Sequence, residues 1–256
     1  MSERTMQPII ECYSIDEEIL YQKPFLFIKG FATGKNLQHT LRALPLARKV
    51  HNGQYRKGLV EFNGQMVQLP YILHCLKVCS TLISLQLPLS HDEEDILLSC
   101  ALLHDCIEDC EEYFPKGGIE LVSDYGFPQE VYETIKLLSK HSGATEYELN
   151  VYFNNIKKNK FALLVKMADR SHNVEDLYNM KSLHKYVKET RDYVYLLSSY
   201  AKANYPELSS GVTILKSKIV SLTELTETLV HRHEEIISEK DKEIAELKEK
   251  LKEYEN

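Results

Sequence analysis

The sequence predicts an all-α protein: a helical bundle interrupted by one small β-hairpin and followed by a long C-terminal helix. Three observations carry this. Gly and Pro number only 10 and 8 in 256 residues, while Leu, Glu and Lys are abundant and β-branched runs are short, a balance that favours helix. Apolar residues recur at helical spacing from about residue 37 to residue 205. The last stretch repeats apolar residues every seven positions among many charges. With 43% hydrophobic residues the chain can bury a sizeable core, enough for one domain of about 150–200 residues with extensions.

The elements follow in order. Residues 1–36 lack a regular pattern and read as an N-terminal extension. Within them, residues 25–30 (FLFIKG) read as a short strand or a packed apolar plug. A helix is expected over 37–51, ending near His51. Residues 58–70 break the period and alternate weakly through Val60, Phe62, Met66 and Val67 around Asn63-Gly64. That pattern predicts a hairpin, with a loop folded over a site as the competing reading. Over 71–87, Ile72, Leu76, Cys79 and Ile83 form one helical stripe, stopped by Pro88. Asp92 is the expected N-cap of the next helix, whose apolar run covers 96–103. Pro128 suits a first helical residue ahead of Val131, Ile135 and Leu138. Residues 161–168 are almost wholly apolar, which predicts a central helix, and 190–204 form a further amphipathic helix closed by Pro206.

The expected division is therefore an extension over 1–36, a core domain over 37–208 and a C-terminal helix over 209–256. Residues 232–256 carry 9 acidic and 6 basic side chains. Val230, Ile237, Ile244 and Leu251 recur every seven residues, with Leu247 and Tyr254 at the companion position that His233 and Lys240 spoil. A coiled coil, and with it a homo-oligomer, is the reading preferred over a lone solvated helix.

A formal charge of −7 gives no general attraction to nucleic acid or anionic lipid, so a phosphate ligand needs a local cationic cluster or a metal. The six cysteines (Cys12, Cys75, Cys79, Cys100, Cys106 and Cys110) form no C-x-x-C knuckle. Reduced, partly buried thiols of a cytoplasmic protein are expected. Neither a signal peptide nor an apolar run of 18 residues is visible, so no membrane span is expected.

Three segments carry chemistry. The first is His51-Asn52-Gly53-Gln54-Tyr55-Arg56-Lys57, followed by Pro70-Tyr71-Ile72-Leu73-His74. The second is Leu103-His104-Asp105-Cys106-Ile107-Glu108-Asp109, and the third is Lys166-Met167-Ala168-Asp169-Arg170-Ser171-His172-Asn173. His104 and Asp105 end an apolar helix, where ionisable groups are costly unless paired or bound to a metal. Glu108 and Asp109 follow one turn later, and a cation would relieve this crowd of acids. Solvated acids at an exposed helix end are the bland alternative. Asp169 ends the most apolar helix, with Asn173 one turn on. A surface ion pair with Lys166 or Arg170 is the bland reading there. One histidine, then His-Asp, then a distant Asp make a set of two nitrogens and two oxygens. That set suits Mn²⁺ or Fe²⁺, with Mg²⁺ or Zn²⁺ also compatible, and it fits hydrolysis by a metal-activated water.

In order and content these segments resemble the HD superfamily and, more narrowly, the hydrolase domain of the RelA/SpoT alarmone enzymes. That pattern runs H-x-G-Q-x-R-K, P-Y-I-x-H, H-D-x-x-E-D and K-x-A-D-R-x-H-N, and the match covers about residues 37–205. The resemblance implies a metal, Mn²⁺ by preference, held by His74, His104, Asp105 and Asp169. It implies that Glu108 and Asp109 handle the attacking water and the leaving-group proton. It implies that Arg56 lies against guanine, that Lys57 serves the charged groups of the substrate and that Asn173 contacts the nucleoside. His51, Gly53 and Gln54 match the pattern as structural residues. The implied reaction is hydrolysis of the 3′-diphosphate of ppGpp or pppGpp, by a small form that lacks room for synthetase and regulatory domains. Two departures stand out: residues 58–69 are longer than the usual Ser-Gly-Glu turn, and Cys75 replaces a proline after the ligand histidine. The alternatives are an HD phosphohydrolase for NADPH, a nucleoside phosphate or a cyclic nucleotide, and a non-catalytic nucleotide-sensing module.

Overall fold

The computed structural model describes residues 15–140, 143–175 and 186–254. Cys12, with residues 1–14 of the expected extension, and the side chain of Tyr254 lie outside the described residues.

The architecture is a helical bundle with a two-stranded ribbon on one side and a long final helix. The first element, α1 (Ile15–Lys35), corrects the reading of the N-terminal residues: 25–30 are neither strand nor plug but the middle of a helix. Among its described side chains only the narrow stripe Tyr21, Ile28 and Ala32 is buried, while Leu26 and Phe27 face outward. Pro24, Gly30 and Gly34 are poor helix formers, and so sparse a stripe leaves no clear period in the sequence. Packing on α3 (Ile72–Ser84) and α2 (Gln38–Val50) holds α1 in helical form.

Helix α2 has no side chain of its own to cap it, because Leu37 stands at its N-cap. Asp95, buried on α4 (His91–Leu103), takes that place from across the interface. Its carboxylate accepts the backbone N–H of His39 at 2.9 Å and of Thr40 at 2.7 Å, and the Thr40 hydroxyl at 2.7 Å. Three otherwise orphaned donors are thus satisfied at once. At the start of α4, Ser90 is the cap in place of the expected Asp92. Ser90 Oγ accepts the N–H of Glu93, and Glu93 Oε2 accepts the N–H of Ser90 at 2.9 Å. This reciprocal box needs a hydroxyl with Glu three residues on, a spacing that Ser90 has and Asp92 lacks.

The ribbon pairs β1 (Tyr55–Phe62) with β2 (Gln65–Pro70), antiparallel, with Phe62 opposite Gln65. Asn63 and Gly64 turn it with φ of 50° and 80°, the two positive values a tight twisted hairpin requires. The strand begins three residues earlier than the sequence pattern suggests, so Arg56 and Lys57 lie on it and point to opposite faces.

Short turns α5 (Cys106–Asp109) and α6 (Glu120–Ser123) lead to α7 (Gln129–Leu138), which Pro128 precedes as its N-cap residue, and α8 (Glu146–Ile156) follows. Helix α9 (Lys160–Glu175) crosses the centre with 161–165 and 167–172 buried, and packs on α3, α4 and the final helix. It runs on past Asp169, which therefore sits within the helix instead of ending it. Thr190–Val194 wind as a π-helix, a departure from the straight α-helix expected over 190–204, and lead into α10 (Tyr195–Asn204).

The last element, α11 (Ser209–Tyr254), is 46 residues long. Val212, Leu215, Ile219 and Thr223 bury its first part, and Val230 is its last buried residue. From 231 to 251 every residue is exposed. Cys75, Cys79, Cys100, Cys106 and Cys110 are free and buried. Among the described residues no helix is long and apolar enough to cross a membrane.

Candidate metal centre

Three helices bring the predicted ligands together. His74 lies in the first turn of α3, His104 and Asp105 form the break between α4 and α5, and Asp169 faces them from α9. Among the described residues, His74, His104 and Asp105 offer ligand atoms that all lie within 4.8 Å of one another. His74 Nε2 is 3.2 Å from His104 Nε2 and 3.5 Å from Asp105 Oδ2, and His104 Nε2 is 3.0 Å from that same oxygen. Asp169 Oδ1 stands 3.3 Å from His74 Nε2 and 3.8 Å from His104 Nε2. The break after Leu103 makes this possible, because it lets consecutive residues His104 and Asp105 turn inward together.

The surroundings fix how each ligand candidate points. His104 Nδ1 donates to the Ala101 carbonyl at 2.9 Å, which leaves its Nε2 lone pair facing the cluster. His74 Nδ1 meets His172 Nδ1 at 2.6 Å. Burial, with the His74 and Lys77 charges, depresses the His172 pKa to about 2, so His172 is a neutral partner for the outer nitrogen of His74. Tyr71 donates its hydroxyl to Asp105 Oδ2 at 2.7 Å. Lys166 donates to Asp169 Oδ2 at 2.9 Å, and Asn173 Nδ2 donates to Asp169 Oδ1.

The electrostatics show a place that calls for positive charge. Burial opposes a charge on His104, yet Asp105 and Asp169 outweigh it and raise its pKa to about 10. Burial likewise opposes the Asp105 carboxylate, and His104 and His74 hold its pKa well below the usual range. For Asp169, Lys166 and the two imidazoles do the same against burial. Two inward-facing imidazole nitrogens and two carboxylates, nearly all buried, fit a divalent cation of borderline-to-hard character, which would take the place of the protons these groups share.

Glu108 and Asp109 sit on α5 at the rim of this cluster. Partial burial and the neighbouring Asp105 charge push the Glu108 carboxyl up, while the N–H of Lys140, 2.8 Å from Glu108 Oε2, pulls it back. Asp109 is also raised, by burial and Asp105, against the pull of Tyr71. On the ribbon side, Arg56 donates to Asn173 Oδ1 at 2.8 Å and lies 5.7 Å over the Tyr71 ring, which stacks on His51 at 4.9 Å. Lys57 is exposed on the other face of the strand. His51 and Gln54 tie the ribbon base to α5: His51 Nδ1 meets Gln54 Oε1 at 2.8 Å, and Gln54 donates to the Asp109 carbonyl at 2.9 Å.

No family model matches the chain. Over 144 residues it is 31% identical to the guanosine-3′,5′-bis(diphosphate) 3′-pyrophosphohydrolase of Haemophilus influenzae. The chain is similar to a pyrophosphohydrolase. The alignment takes in 53% of this chain and 18% of that relative, so the chain spans less than a fifth of the relative's length.

Sequence reasoning gave no role to Tyr71 or His172, although each sits inside a motif, and it offered Lys166 only as a surface ion-pair partner of Asp169, a pair that forms but is largely buried. Tyr71 precedes His74 by three residues and His172 follows Asp169 by three, so helical spacing alone places them beside the ligands. Lys140 and Glu189 stand outside every motif and become visible only through contacts across elements.

Proposed function

We propose that the protein is a cytoplasmic, metal-dependent hydrolase that removes the 3′-diphosphate of ppGpp and pppGpp as pyrophosphate. The observation that supports this most is the meeting of His74, His104, Asp105 and Asp169 at one buried point, with Glu108 and Asp109 at its rim. Similarity to a hydrolase of guanosine bis-diphosphate points the same way. Those four residues would hold a divalent cation, Mn²⁺ by preference, which would supply a more acidic water and a polarised phosphate oxygen.

The chain's own groups do the rest. Glu108, with its raised pKa, exchanges a proton with the attacking water, and Asp109 serves the leaving 3′-oxygen. Water adds to the phosphorus nearest the ribose, the bond from phosphorus to the 3′-oxygen breaks, and that oxygen gains a proton. Arg56, 5.7 Å from the centre of the Tyr71 ring and bonded to Asn173, presents its guanidinium to guanine, and Asn173 contacts the nucleoside. Lys57, exposed on the opposite face of the strand from Arg56, is left without a place in this arrangement. Two copies pair along Ile237, Ile244, Leu247 and Leu251, where Glu243 and Lys248 flank the seam with opposite charges suited to a second copy of this chain.

One observation favours a second reading. The ribbon over residues 55–70 stands where the related pattern has a short turn, beside Arg56, and can reshape the base pocket for NADPH, a nucleoside phosphate or a cyclic nucleotide. Incubation of a nucleotide panel with added Mn²⁺, read by product identity, separates the readings. Pyrophosphate and a guanosine 5′-phosphate from the alarmones is the expected result. Orthophosphate release, or turnover of the other nucleotides alone, moves the assignment to the second reading. Tight binding without turnover leaves a sensing module.

A further inference from the structure

We infer that Glu189 is a positioning residue for the proposed reaction: its buried carboxylate ties the helix that carries Asp169 to the segment that holds Glu108. The inference rests on the hydrolase reading above. Glu189 is 7% exposed and uses both its oxygens. Oε1 accepts from Arg170, the neighbour of Asp169 on α9. Oε2 accepts from Lys140 Nζ at 3.2 Å. Lys140, in turn, is the residue whose backbone N–H holds Glu108 Oε2 at 2.8 Å.

Each arm depends on Glu189. Arg170 is 2% exposed, its Nε and Nη1 find no hydrogen-bond partner among the described residues, and its Cζ lies 4.8 Å from the centre of the Tyr186 ring. A buried guanidinium so placed needs its carboxylate. Lys140 lies just past the end of α7, where helical hydrogen bonds no longer orient the backbone. Its side chain is steered by Glu189 and by the Tyr152 ring at 5.7 Å, and Tyr152 is itself anchored to the Leu138 carbonyl at 2.7 Å. The backbone widens into the π-helix immediately after Glu189, a local irregularity that aims residues at functional sites more often than chance. Glu189 thereby sets the distance between the rim carboxylate and the metal ligands, a spacing to which rate is steeply sensitive.

Lys140→Met and Glu189→Gln, made in the full chain with Mn²⁺ present, test this. Lys140→Met cuts only the arm to Glu108 and leaves the Arg170–Glu189 pair in place, so it decides the matter even if Glu189→Gln does not fold. With ppGpp as substrate, Lys140→Met is expected to lower kcat about 10- to 100-fold while KM and Mn²⁺ affinity by calorimetry stay within about threefold. The Lys140 amide should exchange with deuterium about tenfold faster, a change independent of turnover. Glu189→Gln should repeat this pattern, and the double variant should be no worse than Glu189→Gln alone. A wild-type kcat with a still-protected amide in Lys140→Met overturns the inference. So do multiplicative losses in the double variant, or Mn²⁺ affinity falling in step with kcat. Wild-type protein that turns over no alarmone defeats the proposed function instead, and the amide measurement still tests the link from Lys140 to Glu108.

Discussion

Asp105 and Glu108 are carboxylates three residues apart with different surroundings. Asp105 Oδ2 lies within 3.5 Å of both cluster imidazoles and accepts from Tyr71, whereas Glu108 is held by the backbone N–H of Lys140. Removing them should therefore fail in two distinct ways. Asp105→Ala abolishes both Mn²⁺ binding and turnover. Glu108→Gln keeps the shape of the site and binds Mn²⁺ as the parent does, but loses kcat by about 10²- to 10⁴-fold, the ordinary worth of a positioned acid or base. Calorimetric Mn²⁺ titration beside steady-state kinetics reads both. Turnover surviving in the first variant, or metal lost in the second, contradicts the assignments. The same contrast explains what could be read in advance. His104, Asp105 and Asp169 stand out as ionisable groups in apolar helices, and His74 joins them only through the motif resemblance. Tyr71 and His172 gain meaning only when a hydroxyl meets a carboxylate, or one imidazole another, across two helices.

Glu93 joins two elements: it closes the capping box at the start of α4 and pairs with Lys160 at the start of α9. Lys160 first, then the Ser90 backbone, pulls its pKa down to about 2. A carboxyl depressed in the folded state contributes stability above its unfolded pKa, about 4.3, and loses it as pH falls toward the folded value. Glu93→Gln keeps a capping side chain but not the charge. Urea denaturation at a series of pH values should show wild type more stable than this variant above about pH 5, with the gap closing toward pH 2. A gap that stays constant to pH 2 would show that the ion pair contributes nothing. Elements with a dense stripe, such as α3 with Ile72, Leu76, Cys79 and Ile83, were legible from period alone. Helix α1 was not, because tertiary packing holds a segment whose glycines, proline and outward-facing Leu26 and Phe27 hide the helical period. The box at Ser90 is hidden for a different reason: four acids follow it, Asp92 to Asp95, and an Asp looks like a cap until the spacing to Glu93 is counted.

At the scale of the whole molecule, the bundle ends long before the chain does. At about 1.5 Å per residue, the uncovered part of α11 reaches well clear of the core, with Ile237, Ile244, Leu247 and Leu251 exposed along it. Sedimentation equilibrium should find the wild type dimeric and the Ile244→Glu, Leu247→Glu variant monomeric, with turnover per chain unchanged. A monomeric wild type at tens of micromolar would leave the last helix solitary. The ribbon projects from the bundle in another way. Its outer residues Leu59 and Met66 are exposed, and its two ends are pinned together at the base, where the N–H of Tyr71 donates to the Gln54 carbonyl at 2.8 Å and Tyr55 faces Pro70. Because the closure sits at the base, residues beyond it can be added or pared away without disturbing the imidazoles and carboxylates below. Descent with modification can therefore reshape the outer half of the ribbon while the floor of His74, His104, Asp105 and Asp169 stays untouched.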